Sequence, residues 1–106
     1  MIAQFIKFET SLSEEKVIAI SKERMPQFQK VPGLVQKHYL KLDEPNHYGG
    51  FYMWESREAM AAFRETELAK TIPSAYQIVR PPEITVQELL FSLRPDEMAL
   101  AAQAIA

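Results

Sequence analysis

Leu34-Val35-Gln36-Lys37-His38-Tyr39-Leu40-Lys41-Leu42, the five residues Asp43-Glu44-Pro45-Asn46-His47, and then Tyr48-Gly49-Gly50-Phe51-Tyr52-Met53-Trp54-Glu55 form the stretch that decides the fold. The flanks are rich in aromatic and aliphatic residues, and the middle is a cluster of turn formers, which is the pattern of two strands joined as a hairpin. If Leu42 lies opposite Tyr48, then Leu40 meets Gly50, His38 meets Tyr52 and Gln36 meets Trp54 on one face. Val35, Lys37, Tyr39, Phe51 and Met53 then share the other. A bulge at Gly49-Gly50 shifts this pairing by one residue and sets Tyr39, instead of His38, beside Tyr52. The sequence leaves both registers open.

Upstream, Ile2 to Glu9 reads as a strand with Ile2, Gln4, Ile6 and Phe8 on one side and Ala3, Phe5, Lys7 and Glu9 on the other. Thr10 to Ser13 offer helix caps, with Ser11 and Glu14 in capping-box spacing. The helix that follows carries Val17, Ile18, Ile20, Met25 and Phe28, and Pro26 predicts a kink or break before Val31-Pro32-Gly33 closes it. Downstream, Ser56 caps a second helix over Arg57 to Lys70 that Pro73 ends. Residues 76–83 look irregular, Ile84 to Leu93 reads as a fourth strand, and the Ala-rich residues 94–106 form a short helical tail.

Strand, helix, strand, strand, helix, strand is the α+β, ferredoxin-like βαββαβ order, an antiparallel sheet with helices on one face, as a single domain over residues 1–93. Two helices cover one side of such a sheet, yet every strand has apolar groups on both sides. Burying several of them is worth about 1.5–3 kcal/mol each, so the uncovered side predicts a homodimer through the sheet face.

Composition narrows the partners. The 106 residues leave room for one domain, and 47% hydrophobic with 25% charged residues is the balance of a globular chain. A net charge of −2 with scattered Lys and Arg argues against nucleic acid. No apolar run approaches the ~20 residues of a membrane span, and no signal core opens the chain, so a cytoplasmic location is expected and a membrane partner is not. Cysteine is absent, which excludes thiol chemistry and sulfur-held metals. Among only 3 glycines there is no phosphate loop or dinucleotide fingerprint.

The run Val31-Pro32-Gly33-Leu34-Val35-Gln36-Lys37, followed by Tyr48-Gly49-Gly50-Phe51-Tyr52-Met53-Trp54-Glu55-Ser56-Arg57-Glu58-Ala59 and Phe63, resembles the YdhR-like monooxygenases of the dimeric α/β-barrel superfamily. That resemblance spans Met1 to about Leu93. It implies a homodimer whose sheets close into a barrel, with a pocket between sheet and helices in each subunit. It also implies that haem is disfavoured, because Phe63 stands where haem-degrading relatives carry a Trp and no His follows His47.

Within that frame His38 is the candidate catalytic acid or base, since imidazole titrates near neutrality and this one sits among apolar neighbours. A lone strand histidine also serves as a satisfied structural group. Gln4, Gln36, Tyr52, Trp54 and Phe63 are the candidate substrate-binding residues, amides to orient a carbonyl and rings to stack on a small apolar or aromatic molecule. Ordinary core packing competes for each. His47, Asp43 and Glu44 have metal-ligating atoms but no closed ligand set, so neither metal nor cofactor is expected. The resulting expectation is a cofactor-independent monooxygenase acting on a small aromatic or polyketide-like substrate. Its alternatives are a non-catalytic dimeric small-molecule-binding module and a lactone or enol isomerase.

Overall fold

A computed structural model describes residues 1–95. The C-terminal tail expected over 94–106 therefore lies, beyond its first two positions, outside the described residues. In chain order the elements are β1 (Ile2–Glu9), α1 (Glu14–Phe28), β2 (Leu34–Lys41), β3 (His47–Trp54), α2 (Arg57–Arg64), the short α3 (Glu67–Lys70) and α4 (Ile72–Ala75), and β4 (Glu83–Glu88). The strands form one sheet in the order β2-β3-β1-β4, and every neighbouring pair is antiparallel. This is the α+β ferredoxin-like fold.

Local chemistry explains the elements. Ser13, not Ser11, caps α1, its hydroxyl accepting from Lys16 N at 3.2 Å, and Glu14 and Glu15 follow in the first turn where the helix dipole favours negative charge. The helix runs through Pro26 to Phe28 without the expected break. Ser56 caps α2, accepting from Ala59 N at 3.1 Å. The single helix expected over 57–70 is instead divided, because Thr66 caps a new start and accepts from Ala69 N at 3.2 Å. The fourth strand also ends early, at Glu88. Leu89 N still donates to Met1 O at 2.9 Å, where β1 begins and the ladder runs out of partner.

The face of the sheet toward the helices holds Ile2, Leu34, Tyr52 and Trp54 against Phe28, Val31, Met60 and Phe63. Trp54 is wholly buried and packs 5.3 Å from Phe63 between ring centroids. Gly33 sits where β2 enters, at φ 77°, and a Cβ there would lie 2.4 Å from that of Ala59. Only glycine tolerates both the left-handed backbone and that close approach of turn to helix. Among the described residues no helix is long and apolar enough to cross a membrane.

Candidate functional site

The hairpin register decides what faces the helices. The observed pairs are Lys41 with Tyr48, Tyr39 with Gly50, His38 with Phe51, Lys37 with Tyr52, and Leu34 with Trp54. This matches neither expected register: relative to Leu42 opposite Tyr48 the pairing moves by one residue in the direction opposite to the glycine-bulge alternative. Lys37, and neither His38 nor Tyr39, therefore stands opposite Tyr52, and the irregularity lies between Leu34 and Gln36, not at the glycine pair. An extra residue in one strand flips every side chain beyond it. Lys37, Tyr39 and Tyr52 consequently point to the helices, and His38 points away.

Between α1 and the sheet lies a cavity of about 270 Å³. A cavity of about 150 Å³ accommodates benzene, so this one has room for a molecule of one or two rings. The sheet supplies Ile6, Phe8, Lys37, Tyr39 and Tyr52 to its wall, α1 supplies Val17, Ile18 and Met25, and Ile72 and Tyr76 close one end. Tyr76 is fixed from both ends: its hydroxyl bonds Ser21 Oγ at 2.8 Å, and its carbonyl accepts from Thr10 Oγ1 at 2.7 Å. Gly50 is the space-making residue, because a Cβ there would lie 2.9 Å from the Tyr52 ring and 3.6 Å from Lys37 Cε.

Lys37 is the electrostatic centre. Its Nζ stands 3.5 Å from the centroid of the Phe28 ring, 4.5 Å from that of Tyr39 and 4.8 Å from that of Tyr52. Its Nζ is compensated by aromatic faces, and among the described residues no carboxylate pairs with it. Glu14, the acidic residue on the cavity wall, is engaged by Lys41 at 2.7 Å. Burial, reinforced by the nearby Arg24 guanidinium, lowers Lys37 from 10.5 to about 7. The same burial pushes the Tyr39 phenol up to about 12 and raises Tyr52 and Tyr76 as well. The cavity thus combines an amine near half-ionised at neutral pH with phenols that stay protonated. Arg24 is itself tied down, its Nη2 donating to Leu68 O at 2.8 Å and Thr71 Oγ1 at 3.1 Å, while its Nε is buried without a partner.

Of the residues singled out from the sequence, Tyr52 alone lines this cavity. His38 is exposed on the far face, with its ring 6.4 Å from that of Phe51, and does not line this cavity. Gln36 faces the same way opposite Met53, and its Oε1 accepts from Lys37 N at 3.0 Å. Gln4 and Trp54 satisfy one another, Trp54 Nε1 donating to Gln4 Oε1 at 2.9 Å in the solid core, and Phe63 packs against that pair's indole. Sequence reasoning passed over Lys37 because a strand lysine is normally a solvated group. Its signal was position: it stands between Val35 and Tyr39 in a strand whose alternate register sends it inward. Among the described residues no group of three or more His, Asp or Glu side chains is arranged to hold a metal.

A four-stranded ferredoxin-like sheet with a helix-covered cavity is a fold found among oxygenases of antibiotic biosynthesis. No family model matches the sequence, and no curated protein matches it. Solved structures do. SnoaB, a cofactor-independent oxygenase from Streptomyces nogalater, superposes with a TM-score of 0.70 at 15% identity, over 87% of this chain and 95% of its own. A structure named antibiotic biosynthesis monooxygenase gives 0.67 at 13% identity, over 85% and 99%. A protein of unknown function from Nitrosomonas europaea gives 0.70 at 23% identity, over 89% and 93%. At these identities the likeness establishes the fold.

Proposed function

We propose that the chain is a cofactor-independent monooxygenase, related to the YdhR-like group, that oxidises a small aromatic or polyketide-like phenol or enol in the cavity between α1 and the sheet. The observation that carries this reading is a largely apolar cavity in which the Lys37 amine, set among aromatic rings, has no carboxylate paired with it among the described residues, beside protonated phenols. Oxygen chemistry without metal or flavin requires the substrate's own electrons, and a phenolate or enolate releases them far more readily than its neutral form. Lys37, as free base, takes the acidic proton and then stands as ammonium beside the anion it has made. Tyr52 lies alongside to donate a hydrogen bond to the same charge. The apolar wall keeps water from solvating the anion. For an anthrone-like methylene, CH2 and O2 become C=O and H2O. One oxygen atom enters the product, the other leaves as water, and the substrate supplies all the electrons.

Pairing with a second copy through the outer sheet face belongs to the same proposal. Phe5 and Phe51 are half-buried there and Leu40 is 39% exposed, while just beyond β4 Leu90, Phe91 and Leu93 are 83–89% exposed. Covering such groups returns the usual stabilisation per apolar side chain.

The test follows dioxygen consumption with anthrone-like and hydroxylated aromatic substrates. The wild type is expected to consume one O2 per product, and Lys37→Met to lose at least tenfold in rate while His38→Ala retains it. Turnover that persists without oxygen would assign the cavity to an isomerase. Binding without turnover would assign it to a carrier module.

A further inference from the structure

The Lys37 amine invites a second chemistry that needs no oxygen. We infer that Lys37 is also a nucleophile, condensing with the carbonyl group of small aromatic aldehydes and ketones to form an imine inside the cavity. The inference shares the ligand cavity of the proposed function but not its reaction with dioxygen.

The geometry favours each stage. A protonated amine has no lone pair to offer, and the usual lysine is locked in that form by solvent or a carboxylate partner. Here the groups facing Nζ are the rings of Phe28 from α1, Tyr39 from β2 and Tyr52 from β3. The charged groups on the same wall are Glu14, Lys22 and Lys41, and Glu14 is paired with Lys41 at 2.7 Å. Arg24, the remaining charge that acts on Lys37, repels a proton from it. The amine is therefore held in its reactive form by burial.

In the condensation the nitrogen lone pair attacks the carbonyl carbon, a C–N bond forms and the C=O π bond breaks. Both nitrogen hydrogens then leave with the carbonyl oxygen as water, and the imine nitrogen takes up a proton. Tyr39 and Tyr52, whose ring centroids stand 4.5 and 4.8 Å from Nζ, are kept protonated by burial and are the nearby donors for the departing oxygen. The iminium keeps a positive charge at the same nitrogen as the ammonium, so the rings that face one charge face the other. Apolar walls limit its hydrolysis.

The experiment treats the intact chain with benzaldehyde and sodium cyanoborohydride at pH 7 under nitrogen, and maps the benzylated lysines by peptide mass analysis. An ordinary lysine with a pKa of about 10.4 is free base to roughly one part in a few thousand at this pH. Lys37 is therefore expected to be labelled at least tenfold faster than exposed Lys16 or Lys30, with the α-amino group followed as a separate peptide. Lys37→Arg removes that product and leaves the others. A cavity-filling naphthol slows the labelling of Lys37 alone. Labelling of Lys37 no faster than of Lys30, or untouched by naphthol, overturns the inference. Because the labelling needs no oxygen, a chain that forms the adduct under nitrogen yet consumes no dioxygen in the aerobic substrate assay refutes the oxygenase reading and leaves this one standing. The reverse result does the opposite.

Discussion

Replacing Lys37 by methionine keeps the unbranched stem, one atom shorter, and removes its charge, and this should stabilise the fold by an amount that depends on pH. The folded state holds Lys37 near 7 and an unfolded chain holds it near 10.5. At about 1.36 kcal/mol per pH unit, keeping the ammonium in the cavity costs the folded state on the order of 4–5 kcal/mol below pH 7. The sign follows from proton counts. Between about 7 and 10.5 the unfolded chain carries a proton that the folded chain has released, so stability rises with pH across this window. The cost is fully present below 7 and gone above 10.5. Relative to wild type, Lys37→Met is thus expected to gain up to about 4 kcal/mol at pH 6, and to lose that advantage by roughly 1.4 kcal/mol per pH unit above 7. For a chain of this size, with about 4–8 °C in Tm per kcal/mol, even half the gain exceeds ~8 °C. Urea unfolding of both proteins at pH 6, 7, 8 and 9 measures the difference, in which all other titrations cancel. Lys30→Met, changed at an exposed site, should give a flat line. A Lys37→Met advantage independent of pH, or a variant less stable than wild type at pH 6, would refute an ammonium destabilised by burial.

Gln4→Leu should cost about 1–3 kcal/mol, because it leaves the Trp54 indole N–H buried without its acceptor. Fluorescence of the lone tryptophan during urea unfolding reads this directly, with the midpoint lowered and the slope unchanged. Phe51→Glu places a charge in the middle of the outer sheet face, and analytical ultracentrifugation should show it as a single chain where the wild type sediments as a pair. A wild type that stays single at micromolar concentration removes the dimer.

Much of the architecture was legible because it rests on local signals. The turn cluster Asp43 to His47 delimits the hairpin, Ser56 announces a helix, and Gly33 marks a close approach, each by the chemistry of one or a few residues. The boundaries that shifted were those set by tertiary partners. Ile84 to Leu93 has strand composition throughout, but β1 offers pairing only as far as Ile2, so the strand stops at Glu88. Composition records what a segment prefers, and the length of the neighbour decides how much of that preference is used.

The candidate site was less legible for a different reason, which bears on its chemistry. Side-chain period in a strand is two, so an irregularity of one residue near Val35 exchanges the entire set His38, Gln36 and Leu40 for Lys37 and Tyr39. Alternation alone favours neither register, because both sets mix apolar and polar groups. What selects the observed one is packing: the long Lys37 stem passes over Gly50, where no Cβ obstructs it, and reaches the Phe28 ring. His38 in that place would bring a shorter side chain and leave the ring uncovered. The bulge thus costs a ladder position and the burial of an ammonium, and on the proposed reading it sets a reactive amine against the cavity. On this argument Lys37→His, which restores the imidazole expected from the sequence at the position that faces the ligand, should recover part of the oxygen consumption lost in Lys37→Met, with its pH optimum moved toward the imidazole range. Activity of Lys37→His no greater than that of Lys37→Met would mean that reach to the bound molecule, more than basicity, is what the bulge provides.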